Sequence, residues 1–181
     1  MKIIGDGAFR QEDLNSRSND MTYSGALSFL RRKYSRDLTE VDVAVLGIPY
    51  DCATSNRPGA RFGPRGIRAA STELSSLDAF PFNFDPFKYL AVVDYGDVWL
   101  DYGYPQNVVE KVEKQADAIL GRSTSLLSFG GDHFISYPLL RSHHKLHGPI
   151  SLIHFDAHSD TWEDDGNRLD HGSMFLRAAR E

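Results

Sequence analysis

Two short clusters of imidazole and carboxylate side chains are the residues best suited to do chemistry. Asp156, His158 and Asp160 alternate with Ala157 and Ser159. On an extended backbone successive side chains point to opposite sides, so these three share one side. His133 closes the run Gly130-Gly131-Asp132-His133, in which two glycines let the chain turn tightly. Imidazole and carboxylate without thiolate suit manganese(II), zinc or iron(II), whereas a calcium loop rarely uses histidine. Each cluster alone has a plainer reading, His133 as a capping or core histidine and the acid-imidazole-acid run as a solvated loop. Together, each directly after an apolar run, they predict a metal centre with His133, Asp156, His158 and Asp160 as ligands.

The elements that must position these residues follow from the apolar pattern. Val41 to Ile48, Tyr89 to Asp94, Ser125 to Phe129 and Ile150 to Phe155 read as strands. Between them, Pro64 opens a helix to about Leu77, Asn107 with Glu110 opens one that Gly121 stops, and Ser136 to His147 forms a third before Gly148. A last helix starts near Gly172 and runs to the end of the sequence. The first forty residues read as an arm with a short helix from Ala26 to Arg36, and residues 41–181 as one domain. Alternating strand and helix predict an α/β fold, a parallel sheet covered on both faces. Both clusters then fall at the carboxyl ends of neighbouring strands, where such sheets bind ligands.

The remaining candidates are weaker. His143 and His147 stand four apart on a helix but lack the glutamate of a zinc-binding helical motif, and read as solvated residues near its C-terminus. Cys52 has no neighbouring cysteine or histidine pattern and reads as a packing residue. Glu163, Asp164 and Asp165 form an acidic run of the kind usually solvated. His171, outside the ligand cluster but close in sequence, is a candidate proton shuttle.

The 181 residues, 41% of them hydrophobic, suffice for one packed domain. With 20 Lys and Arg against 25 Asp and Glu, the net charge of −5 argues against a nucleic-acid or anionic-membrane surface and favours a small cationic partner. No run approaches the roughly 18 apolar residues of a membrane span. Met1 to Asn15 lacks the apolar core of a secretory signal, and a single cysteine fits a reducing cytoplasm.

Gly130-Gly131-Asp132-His133, Ser151 to Asp160 and Asp170-His171-Gly172 resemble the ureohydrolase (arginase and agmatinase) family, as do Gly47 to Asp51, the Arg57 to Arg68 loop and Asp94 to Asp97. Within it, Ser55 to Pro64 and Asp170 to Phe175 are most similar to agmatinases, and Thr161-Trp162-Glu163-Asp164 departs from the arginase loop that binds the amino-acid end of arginine. The resemblance implies an arginase-like three-layer α/β/α fold and two manganese ions. His133, Asp156 and Asp160 would hold one ion, while Asp156 would bridge to a second held by His158. Paired dications about 3.5–4 Å apart make a nucleophile of water at neutral pH. His171 would match the family histidine proposed for proton transfer, with Asp160 as a second relay. The implied reaction is hydrolysis of agmatine to putrescine and urea, a step of polyamine biosynthesis, with guanidinobutyrate or another guanidino acid as the rival substrate. The family's later Asp-x-Asp motif and substrate-holding glutamate do not occur before Glu181, so the sequence reads as the N-terminal portion of such an enzyme, with a catalytically incomplete metal-binding fragment as the alternative. A cytoplasmic homo-oligomer is the expected form.

Overall fold

A computed structural model describes residues 6–11, 13–15, 20–74 and 78–181. Its framework is a four-stranded parallel sheet built from β1 (Lys33–Tyr34), β2 (Val43–Gly47), β3 (Val92–Asp97) and β4 (Ser125–Phe129), in the order β1-β3-β2-β4. Five helices accompany it among the described residues: α1 (Gly7–Arg10), α2 (Gly63–Ser71), α3 (Val108–Leu120), α4 (Ser136–His147) and α5 (Met174–Arg180).

The central strand is apolar on both faces because both are covered. Ala44 and Leu46, with Ile48 just beyond the strand, enter the main core with Val112 and Ile119 of α3 and Tyr137 of α4. Val45, pointing the other way, packs with Val92 and Phe87 against Phe29 and Phe129. A parallel strand buried on both sides needs this continuous hydrophobic run. In α3 the buried positions are Val108, Val112, Ala116, Ile119 and Leu120, spaced as one helical stripe. Asn107 makes no side-chain cap; a 3-10 turn over Pro105–Asn107 leads into α3 instead. The helix predicted over Ser136 to His147 is α4, and Gly148 ends it in a left-handed conformation, φ 74°.

Several predicted bounds move, each for a physical reason. The helix expected over Ala26 to Arg36 is a 3-10 turn, Phe29–Arg31, followed by β1. Tertiary hydrogen bonds override local propensity there. Phe29 N donates to Asp94 (2.7 Å), Leu30 N to Ser71 Oγ (2.8 Å), and the buried Arg31 side chain to the carbonyls of Met21, Ser24 and Thr72. Tyr89 and Leu90, assigned to a strand, instead donate backbone N–H groups to Pro86 O, and β3 begins at Val92. The α2 helix stops at Ser71, where the Ser71 and Thr72 hydroxyls bond back to the carbonyls of Arg68 and Ala69; residues 75–77 of its expected end lie outside the described residues.

The largest correction concerns Ile150 to Phe155, which form no strand. Ile153 is 82% and Phe155 94% exposed, so this apolar run has neither a ladder partner nor a covering layer to reward extended pairing. β4 is therefore paired on one side, to β2.

Candidate metal centre

The chain leaving β4 is aimed by contacts with two other loops. Gly131 N donates to Ala60 O at 3.3 Å and Asp132 N to Tyr50 O at 2.6 Å. Gly131 has φ 65°, and a Cβ there would lie 2.5 Å from Ile48 O and 2.6 Å from Tyr50 O, so only glycine fits. The Asp132 carboxylate accepts from Phe134 N (3.0 Å) and Ala53 N (2.8 Å), fixing the 3-10 turn that carries His133. Burial raises the Asp132 pKa against these two hydrogen bonds.

A second support is the loop at Gly59 to Phe62. The buried Asp51 carboxylate accepts from Gly59 N (2.6 Å), Arg61 N (3.2 Å) and Arg61 Nε (2.6 Å), and the Arg61 guanidinium lies 3.8 Å over the Tyr102 ring. The hydrogen bond from the Arg61 side chain, aided by the backbone donors, lowers the Asp51 pKa below the usual carboxylate range. A depressed folded-state pKa gives stability that is complete above the unfolded value of about 3.9 and is lost as pH falls through the lower folded value. The expected result is that Asp51→Asn lowers the urea midpoint by a constant amount from pH 7 to about 5. That difference shrinks below about pH 4, and a difference undiminished at pH 3 contradicts the assignment.

The donor atoms converge opposite this turn. His133 Nδ1 stands 2.8 Å from one carboxylate oxygen of Asp160 and 3.1 Å from one of Asp156. His154 Nε2 lies 3.5 Å from the same Asp156 oxygen. One ligand atom from each of His133, His154, Asp156 and Asp160 lies within 4.8 Å of the others. The second Asp156 oxygen faces the other way, accepting from His158 N at 2.8 Å with His158 Nδ1 at 3.6 Å. That backbone hydrogen bond is the largest cause lowering the Asp156 pKa. Asp160 adopts φ 50°, a left-handed conformation that aspartate tolerates better than most residues, and its carbonyl accepts from Phe175 N at 3.1 Å.

Three of the four predicted ligands, His133, Asp156 and Asp160, therefore meet in one group. His158 stands apart from it, its side chain 81% exposed on the far side of Asp156. His154, which the spacing argument passed over, takes a place in the group. The signal was present, because residues 154, 156, 158 and 160 continue the same alternation by one step. His171 is half-buried and lies near Asp132.

The other candidates resolve as structural or unconnected. Glu163 pairs with Arg180 at 2.7 Å and Asp164 with Arg177 at 3.0 Å, so two members of the acidic run fasten α5. Asp165 accepts from Asn167 N and Arg168 N in a turn. His143 and His147 stack on each other along α4, ring centroids 5.9 Å apart. Cys52 is exposed rather than packed, because its loop turns it away from the core that takes Tyr50 and Ala53.

Two carboxylates aimed from separate positions at an imidazole form a donor set of the right type for a hard or borderline divalent cation. A cleft of about 830 Å³, bordered by Leu152, His154, Ser159 and Phe175, opens beside the group.

The Arginase family model matches residues 41–181. The chain belongs to the arginase family. It is 51% identical to the agmatinase of Chromobacterium violaceum, an alignment covering 99% of this chain and 56% of that protein. The agmatinase of Photorhabdus laumondii is 42% identical, over 93% of this chain and 55% of its own length. Among solved structures, a hypothetical agmatinase from Burkholderia thailandensis superposes with a TM-score of 0.95 at 49% identity, covering 99% of this chain and 57% of that one. Proclavaminate amidino hydrolase from Streptomyces clavuligerus gives a TM-score of 0.80 at 32% identity, over 89% of this chain and 54% of that one. A Trypanosoma cruzi formiminoglutamase solved with Mn2+ gives 0.71 at 25% identity, over 81% of this chain and 50% of that one. The parallel α/β sheet is thus the arginase-like fold, and the chain spans about half the length of these relatives.

Proposed function

We propose that this chain contributes metal-binding residues of a manganese-dependent agmatinase, which hydrolyses agmatine to putrescine and urea. The observation that carries this reading is the convergence of Asp156 and Asp160 on His133 Nδ1 at 3.1 and 2.8 Å. The resemblance of the chain to agmatinases over nearly its whole length supports the substrate.

His133, Asp156 and Asp160 would hold one ion. Asp156, whose two oxygens face opposite sides, would link it to a second beside His158. Bound dications supply Lewis-acid charge that makes water a nucleophile near neutral pH. The chain's own residues then orient and exchange protons. The Asp132 turn fixes the His133 ring, and the left-handed backbone of Asp160 directs its carboxylate inward. In the overall reaction water adds to the guanidinium carbon and the C–N bond to the alkyl amine breaks. The departing amine takes up a proton, which His171, or Asp160 in its place, would relay. The net charge of −5 suits a cationic guanidino substrate. Among the described residues no helix is long and apolar enough to cross a membrane, and a cytoplasmic homo-oligomer serving polyamine biosynthesis is the setting we infer.

One observation favours a second reading. Among the described residues a single group of four such donors occurs, which suits one cation bound without turnover. Urea release from agmatine, 4-guanidinobutyrate and arginine by the Mn2+-loaded protein at the full length of its relatives tests the substrate, and the same assay on this chain alone tests the second reading. Turnover with preference for agmatine is expected of the full-length protein. Preference for either acid overturns the substrate, and zero turnover with one ion bound supports the second reading.

A further inference from the structure

We propose that His143 and His147 on α4 form a further metal site, a two-imidazole chelate for a borderline divalent cation of the zinc, nickel or copper(II) class. The site is separate from the carboxylate-rich group at His133 and stands independently of the agmatinase reading.

The helix supplies the spacing. Residues i and i+4 lie one turn apart on the same face, with Cβ atoms about 5–6 Å apart, which is how a helical histidine pair reaches a single ion. His143 and His147 hold this relation within α4, whose buried residues Tyr137, Pro138 and Ser142 lie on the opposite side. The two rings already stand side by side, within 23° of parallel and with centroids 5.9 Å apart. Metal–imidazole bonds of about 2.0–2.1 Å place two such centroids about 5–6 Å apart, so one ion joins the pair with little movement.

Nothing in the protein competes for these nitrogens. Among the described residues neither ring forms a hydrogen bond or an ion pair. Burial first, and then the neighbouring His147, lower the His143 pKa, which leaves its lone pair for a metal near neutral pH. Lys145, two residues from each histidine, is turned away and held by Asp117 of α3. Imidazole donors without a carboxylate favour Cu2+, Ni2+ and Zn2+ over Mn2+, which stands at the weak end of that order. His147 is exposed at the surface, so water can complete the coordination shell.

The test titrates Cu2+ into the 181-residue chain saturated with Mn2+ and compares it with His147→Ala, His143→Gln and His144→Ala. Cu2+ taken up elsewhere is common to the parent and to the two pair variants, so their difference reads the α4 site whether or not the Mn2+ centre fills. One more Cu2+ is expected in the parent than in either pair variant at the same free-metal concentration, and pulsed EPR of that ion is expected to show two imidazole couplings. Affinity at the site falls at least about tenfold in either pair variant, because loss of a group that merely orients a metal ligand already costs that much. His144→Ala, adjacent in sequence but on another face of α4, is expected to keep the parent's uptake and both couplings. Since the pair lies on the open surface, circular dichroism is expected to show the parent's helix content in all the variants, and His143→Gln repeats the test with a side chain close in bulk. Equal uptake by the parent and both pair variants overturns the proposal, as does a single imidazole coupling on the additional ion or its loss in His144→Ala.

Discussion

Gly131→Ala is expected to destabilise the fold by about 3 kcal/mol or more and to weaken Mn2+ binding with it. A left-handed backbone costs an L-residue roughly 1–2 kcal/mol by itself. At Gly131 the added Cβ also meets two backbone carbonyls, Ile48 O at 2.5 Å and Tyr50 O at 2.6 Å, neither of which can swing aside. The turn must shift, and the hydrogen bonds from Gly131 N to Ala60 O and from Asp132 N to Tyr50 O go with it. His133 lies two residues on, so the imidazole leaves its place against Asp160. Gly166→Ala is the matched control. Gly166 has φ 79°, but a Cβ there meets nothing within 4 Å, so its cost is expected to stay near 1 kcal/mol. Urea unfolding of both variants checks the difference, and equal costs contradict the steric argument.

Arg68→Ala is expected to cost about 3–5 kcal/mol, because it strands a buried carboxylate. The Arg68 side chain is 6% exposed and its partner Asp94 is fully buried. It donates to both oxygens of Asp94, at 2.7 and 2.9 Å, to Asp97 at 2.6 Å and to Gly96 O at 3.1 Å. Asp94 in turn accepts from Phe29 N and Gly96 N, so it ties α2, β3 and the turn before β1 together. Burial opposes the Arg68 charge, but the hydrogen bonds to Asp94 and Asp97 outweigh it and raise the pKa. A melting temperature lowered by about 10 °C is the expected readout, and a change under about 2 °C contradicts a buried, mutually satisfied Arg68–Asp94 pair.

Where an apolar run is closed by clear stop signals, local pattern is enough to place the element. The runs around Val43–Gly47 and Ser125–Phe129, and α4 with its closing glycine, needed only local pattern and stop signals to be found. The turn at Phe29–Arg31 was not legible. Its partners Asp94, Ser71 and Thr72 lie more than 40 residues away, and no local preference announces them. The run Ile150 to Phe155 misled in the opposite sense, since apolar composition reports a demand for burial and not whether neighbours meet it. In the candidate site, the alternation of Asp156 and Asp160 located two converging acids, and the paired glycines located His133. His154 was hidden by its apolar neighbours Ile153 and Phe155, which made it look like part of a strand and not the start of the donor series.

Anomalous diffraction at the manganese edge from crystals of the chain grown with Mn2+ tests the centre most directly. A peak is predicted about 2.1 Å from His133 Nδ1 and from carboxylate oxygens of both Asp156 and Asp160. Full occupancy of Mn2+ elsewhere, with no peak between these three side chains, would contradict it.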